Sequence, residues 1–413
     1  MRVSKIRLQN FKSFIDVSLN LSKEINLIVG PNNSGKSTLL KSVLWIQQGS
    51  QLLRADLRTF QNGGLVEIEL EDANSYFDGR AGLSPIARAY LHSGGGLGAE
   101  IANSNSSELY GSINYPFGNT YPHAIPASEP KNLIYPYLSR RKVVSYGELV
   151  GSAQSNAVSG NFSNLYAKID RLTNPDMPAN EQYVKACIDI IGFRVTSANS
   201  ENGKKAAYII DNFEYIPLEA MGEGIANLLG LIVDLCIADN KLFLIEEPEN
   251  DIHPKPLKKL LKLIAEKAEN NQFIITTHSN IVVKHLGTWP ESKLFQVTMK
   301  FEEKLPTSQV EEVINSPEAR REILEDLGYD FFDFDMWSAW LFLEEATAEK
   351  IIKEYLIPWF TPDLKGKLRT FSAKSLSEVK TKFDAFDKLF VFLHLETAYK
   401  NLVWVVIERF LVS

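Results

Sequence analysis

Apolar residues recur at Val3, Ile6 and Leu8 and again at Val17 and Leu19, and an unbroken apolar run follows from Ile25 to Val29. Alternation marks half-buried strands, and a short continuous run marks a strand covered on both faces, so three strands are predicted. The third feeds a glycine-rich turn and then a helix from about Lys36 to Gln47. Leu65–Leu70 (LVEIEL) alternates once more. From Leu91 to Pro130 there is no Lys or Arg while Gly, Ser, Asn and Pro accumulate, which predicts a loop-rich insertion over about 91–130 with a hairpin near Leu109–Phe117. Helical spacing returns at Phe162–Leu172 and Glu181–Ile191, and a hairpin turning at Asn202–Gly203 follows. Next come an apolar helix from Gly222 to Ala238, a buried strand Lys241–Ile245, a helix from Pro256 to Asn270 and a buried strand Phe273–Thr276. Strands alternating with helices of this length build a parallel sheet with crossover helices. A last strand–helix–strand pattern runs from about Trp340 to the end, and no internal repeat is visible. The 413 residues exceed one domain of roughly 150. The predicted division is a main domain over 1–300, a linker over 301–339 and a small α/β unit over 340–413.

Composition narrows the class without naming a function. Hydrophobic residues at 45% and charged residues at 23% are globular proportions, which excludes a disordered chain, a collagen-like repeat or a coiled-coil rod. A net charge of −7 gives no general attraction for polyanions, so contact with DNA would rest on a local basic surface. Candidates are Lys258, Lys259, Lys262 and Lys267 on the helix after Pro256, more simply read as a solvated face, and Arg140, Arg141 and Lys142. Cys187 and Cys236 lie inside apolar helical patterns, which predicts two buried thiols in a reducing compartment and no disulfide. The N-terminal segment is charged at every second or third position and lacks the apolar core of a signal peptide. Ile225–Ala238, the most apolar stretch, is broken by Asn227 and Asp234 and is too short to span a bilayer. A cytoplasmic protein with no membrane partner is expected.

Chemistry concentrates in short motifs at strand ends. Gly30-Pro-Asn32-Asn33-Ser34-Gly35-Lys36-Ser37 has phosphate-loop spacing and sits between a buried strand and a helix. Glycines there let backbone amides close around phosphate oxygens at a helix N-terminus. Lys36 is placed to reach the β- and γ-phosphates of ATP, Ser37 to ligate Mg2+, and Thr38 to support the turn. The strand Lys241–Ile245 ends in Glu246-Glu247-Pro248-Glu249. Nucleotide hydrolysis needs one strand-end carboxylate for the magnesium shell and another for the attacking water, roles that fall to Glu246 and Glu247. One helix later Ile274-Ile-Thr-Thr-His278-Ser279 sets a histidine past a buried strand, where it could sense a γ-phosphate. Met221-Gly222-Glu223-Gly224 opens the apolar helix with small residues that leave amides free for an anion.

These motifs, in this order, resemble those of an ATP-binding-cassette ATPase head. The variety is that of chromosome-maintenance and recombination-repair proteins and, more closely, of the overcoming-lysogenisation-defect (OLD) family. The resemblance spans roughly residues 1–290. It implies an ABC-type α/β fold: a mixed β-rich lobe, a parallel-sheet core and a helical lobe. It implies that Gly222 and Glu223 act in trans on the ATP of a second subunit, within a homodimer or higher oligomer. It further implies that Glu249–His253 is the loop between the two sites and that His278 is the switch histidine. Two departures stand out: Glu246 replaces the usual Asp, and Met-Gly-Glu-Gly replaces the commoner Ser-Gly-Gly. For the glutamine that contacts magnesium from the first lobe, Gln47, Gln48 and Gln51 are candidates by proximity alone.

In the same family a Toprim nuclease domain follows the ATPase. Glu344 matches its first acid, but Glu345 replaces the glycine and Ala348 the second acid. Val403–Phe410 resembles the strand bearing an Asp-x-Asp metal pair, with Glu408 and Phe410 in those places. Two-metal cleavage needs several converging carboxylates, so Glu344 and Glu408 read as metal-site remnants of a truncated or degenerate Toprim-like unit. The expected function is an ATPase that dimerises around ATP and controls a DNA-directed or anti-phage effector. An ATP-regulated OLD-type endonuclease and an ATP-gated assembly scaffold for a separate protein remain the alternatives.

Overall fold

The computed structural model describes residues 1–50, 52–72, 85–94, 97–103, 109–115, 125–138, 146–158, 160, 162–302, 304–314, 316–327, 339–365, 368–373, 377–384 and 403–406. The chain divides into two compact units, Met1–Ile314 and Asn315–Ser413.

The first unit contains two six-stranded sheets. One is antiparallel, in the order β2 (Phe14–Asn20), β1 (Arg2–Phe11), β4 (Gly63–Glu71), β5 (Pro85–His92), β6 (Leu97–Asn103) and β7 (Leu109–Tyr115). The expected loop-rich insertion is therefore partly sheet. Leu109–Tyr115 pairs back onto Leu97–Asn103 and does not form a hairpin within itself, because each of these short polar segments finds its partner in an existing edge strand.

The second sheet runs β15 (Leu305–Val313), β14 (Ser292–Glu302), β3 (Ile25–Val29), β13 (Gln272–Thr277), β12 (Leu242–Glu246) and β8 (Ile134–Tyr137), parallel except for the β14–β15 hairpin. All residues of β3, β12 and β13 are buried, as their continuous apolar runs demand. Each aliphatic side chain so covered contributes roughly 1.5–3 kcal/mol. The one polar residue inside β3, Asn26, is satisfied by Ser22 and by the Phe273 carbonyl. The hairpin corrects the predicted domain edge: residues 301–302 end β14 and 305–313 form β15 of this sheet, so they are not linker.

Helix α1 (Lys36–Leu44) packs on β12 and β13, and its Leu39, Leu40 and Val43 join Val3, Ile6, Leu8, Val66 and Ile68 of the antiparallel sheet in one core. Beside the parallel sheet a helical layer collects α2 (Ser152–Asn156), α3 (Leu165–Thr173), α4 (Asn180–Ile190), α5 (Glu223–Ile237), α6 (Pro254–Lys267) and α7 (Asn280–Leu286). A three-stranded sheet of β9 (Thr196–Ser200), β10 (Gly203–Ile209) and β11 (Tyr215–Pro217) lies against α3. Gly203 turns this hairpin at φ 145°, and a Cβ there would meet the Glu148 carbonyl oxygen at 2.2 Å.

The second unit holds α8 (Pro317–Asp326) and a parallel sheet in the order β17 (Leu368–Ser372), β16 (Ala339–Leu343), β18 (Val403–Val406). Between β16 and β17 a helix runs through α9 (Ala346–Ile351), a π-turn at Ile352–Leu356 and α10 (Ile357–Phe360). Pro358 lacks an N–H for a regular turn, and the wider turn lies just ahead of it. Among the described residues no helix is long and apolar enough to cross a membrane, and Cys187 and Cys236 are both free and buried.

Candidate functional site

The parallel pairing levels three strand ends. Val29 pairs with Thr277 and Glu246 with Thr276, so the residues that follow β3, β12 and β13 emerge in one row at the carboxyl edge of the sheet. Gly30 begins the phosphate loop there. A Cβ on it would lie 2.3 Å from the Val297 carbonyl oxygen, and one on Gly35, at φ 112°, would lie 2.8 Å from Ser308 Oγ. Asn33 also takes a left-handed backbone, at φ 63°. Asn32 and Asn33 are exposed and Ser34 is buried. Gly35 caps α1, and its carbonyl accepts the amides of Thr38 and Leu39 at 3.0 and 3.2 Å. Among the described residues the amides of Gly35, Lys36 and Ser37 donate to no protein acceptor, and the Ser34 hydroxyl, though buried, has no partner.

Lys36 is 4% exposed and donates to the carbonyls of Gly30 and Pro31 at 2.8 and 3.0 Å, with its Nζ 3.9 Å from Glu247 Oε1. Burial lowers the pKa of its ammonium, against the pull of Glu247, Glu249 and Glu246. Ser37 Oγ donates directly to Glu246 Oε1. Glu247 occupies a left-handed backbone at φ 47°, uncommon for a residue with a side chain, and its amide donates to the Thr276 carbonyl at 2.9 Å. Asn250 holds Glu247 Oε2 at 2.8 Å, while Oε1 lies 3.4 Å from His278 Nδ1. The structure thus brings Lys36, Ser37, Glu246, Glu247 and His278 together. A cradle of unpaired amides closed by glycines, with a lysine, a hydroxyl and carboxylates at its mouth, fits a nucleoside triphosphate and a divalent cation.

Comparison with known proteins points the same way. Residues 1–76 match the family described as “AAA ATPase domain”. Residues 137–284 match the family described as “AAA domain, putative AbiEii toxin, Type IV TA system”. A solved SMC head bound to the C-terminal winged-helix domain of ScpA shares the fold at a TM-score of 0.55 and 16% identity, over 76% of this chain and 98% of that one. The chain has the fold of an SMC head, and two of its segments match AAA ATPase families. A second SMC head, with an extended coiled coil and bound to a ScpA domain derived from Pyrococcus furiosus, gives a TM-score of 0.53 at 14% identity, over 79% and 100% of the two chains. Among curated proteins, the Rad50 double-strand break repair ATPase of Methanococcus maripaludis is 29% identical over 187 residues, 41% of this chain and 18% of that one. The chromosome partition protein Smc of Methanocaldococcus jannaschii is 42% identical over 67 residues, 15% of this chain and 6% of that one. The match to RecF of Idiomarina loihiensis is 32% over 77 residues, 19% of each chain. The chain therefore spans less than a fifth of the length of these three relatives.

At this site, Glu249 stands out as a residue the sequence placed merely in a loop. Its Oε1 accepts the Thr277 hydroxyl at 2.6 Å and the His278 amide at 3.1 Å, and lies 3.6 Å from His278 Nδ1. A third acid in four residues was the available signal; its reach across to β13 was not. Gly222 caps α5 in open space, and Gly222 and Glu223 are exposed. Gly224, by contrast, is fixed within its own chain, since a Cβ there would sit 2.3 Å from the Asp251 carbonyl oxygen.

The glutamine candidates change. Gln47 is buried, donates to the Ile134 carbonyl and accepts the amides of Leu133 and Ile134 at 2.7–2.9 Å, so its amide group ties the end of α1 to β8 and is not offered to a metal. Gln48 is exposed, and Gln51 lies outside the described residues. On α6, Lys258, Lys259 and Lys262 are exposed. Lys259 bonds the Asp189 carbonyl, Lys262 faces Glu266, and Lys267 bonds Gln182. Arg140, Arg141, Lys142, Glu408 and Phe410 lie outside the described residues. In the second unit Glu344 follows β16, and Glu349 bonds Thr370 and, at 2.7 Å, Lys353. Burial raises the Glu349 pKa, but hydrogen bonds from Lys353, Ser372 and Thr370 outweigh it and hold the carboxyl at about 2.

Proposed function

We propose that this chain binds ATP with Mg2+ in the Gly30–Thr38 loop, hydrolyses it slowly, and closes with a second copy around the nucleotide. The observation that carries this reading is the meeting of Lys36, Ser37, Glu246, Glu247 and His278 at level strand ends. The amides of Gly35, Lys36 and Ser37 would cradle phosphate oxygens, with Asn32, Asn33 and Ser34 forming the loop's outer wall. Lys36 would exchange its carbonyl partners for the β- and γ-phosphates. Ser37 and Glu246 would hold Mg2+, which when bound neutralises charge on the phosphate oxygens. Glu247, fixed by its backbone and by Asn250, orients the attacking water and accepts its proton, and His278 hydrogen-bonds the γ-phosphate. Gly222 and Glu223 of the second copy would cover the triphosphate from the other side.

The finer role is an OLD-type one, in which ATP state controls a DNA-directed or anti-phage effector. The names of the relatives, which concern chromosome partition, double-strand break repair and DNA replication, support a DNA-related setting. Both SMC heads carry a bound ScpA domain, which supports a docked effector protein. The C-terminal unit reads as a Toprim-like remnant that does not cleave DNA, since Ala348 and Phe410 stand where metal-binding carboxylates would be needed. Metal-dependent cleavage by the purified chain, lost in Glu344→Gln, would overturn that assignment.

Glu247→Gln tests the ATPase reading. It should slow hydrolysis by about 10²–10⁴-fold and leave ATP binding intact, whereas Lys36→Ala should lose binding. Undiminished hydrolysis by Glu247→Gln would contradict the assignment. Loss of cellular activity in Glu247→Gln would mark hydrolysis as essential, and retained activity would mark the chain as an ATP-gated scaffold.

A further inference from the structure

Behind the phosphate loop, three segments far apart in the sequence converge. Ser308 of β15, 2% exposed, has its Oγ 2.6 Å from the Ser34 carbonyl oxygen and 2.7 Å from Ser13 Oγ. A serine has one hydroxyl proton and a carbonyl can only accept, so Ser308 donates to Ser34 and Ser13 donates to Ser308. The Ser308 amide also donates to the Ser13 carbonyl at 2.9 Å. Arg58, 6% exposed, clamps the same two segments. Its Nη1 donates to the carbonyls of Ser13 and Pro306 at 3.1 and 2.9 Å, and its Nη2 to Thr307 Oγ1 at 2.6 Å. Among the described residues the side chain of Arg58 bonds neutral oxygens alone.

A trans peptide points its carbonyl and its following N–H in opposite directions. A Ser34 carbonyl drawn outward to Ser308 therefore turns the Gly35 amide inward, the orientation a phosphate requires. Gly35 sits at φ 112°, where a peptide rotation meets little steric resistance, so this bond is what chooses between the two orientations. With the donor lost, the carbonyl can rotate toward the loop interior and oppose an anion. We propose that Ser308, seated by Ser13 and Arg58, is a positioning residue of the nucleotide site that fixes the Ser34–Gly35 peptide with its N–H toward the phosphates. The proposal rests on the ATP reading above and assigns that site a support supplied by β15.

The test is steady-state ATP hydrolysis and ATP binding by the full chain carrying Ser308→Ala, with Ser13→Ala as a milder second variant and Lys36→Ala as control. Removing one hydrogen bond that orients a phosphate donor should raise KM and weaken ATP binding about tenfold, with kcat at saturating ATP unchanged. Ser13→Ala should move KM in the same direction by less. A purely structural role would instead lower the melting temperature and the active fraction, seen in kcat, with KM unmoved, and that result in both variants would overturn the proposal. Unaltered binding by Lys36→Ala would overturn the ATP reading and this inference with it, whereas loss in Lys36→Ala beside wild-type KM in both serine variants would sink this inference alone.

Discussion

Glu249 acts through its neighbours: one oxygen accepts both the Thr277 hydroxyl and the His278 amide, and so fixes where the imidazole stands relative to Glu247. Glu249→Ala should therefore lower turnover about tenfold, the effect of losing an orienting charged hydrogen bond, while ATP affinity stays unchanged in a binding titration. Equal turnover in mutant and wild type would remove Glu249 from the site. The two cysteines lead to a prediction of the opposite kind. Burial raises the Cys187 and Cys236 thiols to about 11 and about 12, so both remain protonated at pH 8 and the thiolate that reacts is absent. Alkylation of the native protein at that pH should be slow at both positions and become fast on unfolding, as read by mass spectrometry.

Helix α5 begins at Glu223 and carries a buried ionic group about three turns further on. Asp234 accepts from Lys168 and from the Tyr137 hydroxyl, and Lys168 also bonds Glu129 at 2.9 Å, which in turn holds Arg171 at 2.6 Å. Burial pushes the Asp234 carboxyl upward against the pull of Lys168. Removing one partner leaves an uncompensated buried charge, so Lys168→Met should destabilise the first unit by about 3–5 kcal/mol, measured by denaturant unfolding. A loss below ~1 kcal/mol, the range of an exposed pair, would contradict this account of the cluster. None of this was legible in the sequence, where Asp234 looked like a polar interruption of an apolar helix. β3, β12 and β13 were legible because a strand buried on both faces leaves a continuous apolar run, and the chemical groups follow it directly. The β14–β15 hairpin was not, since its partner β3 lies more than two hundred residues earlier and its outer strand is half polar. Ser308, which belongs to that hairpin, was hidden with it.

The proposed nucleotide site lies in the first unit, and a small parallel α/β sheet lies in the second. The phosphate-loop side, with Lys36, Ser37, Glu246, Glu247 and His278, is assembled within one chain, while Gly222 and Glu223, at the start of α5, are exposed. Under the proposed function, Gly222 and Glu223 of a second copy would complete this site. Light-scattering molar mass of the purified chain, with and without a slowly hydrolysed ATP analogue and Mg2+, tests this most directly. The mass should double when the analogue is added and should stay at the monomer value in Lys36→Ala. A wild-type mass that the analogue leaves unchanged would contradict closure of two copies around ATP.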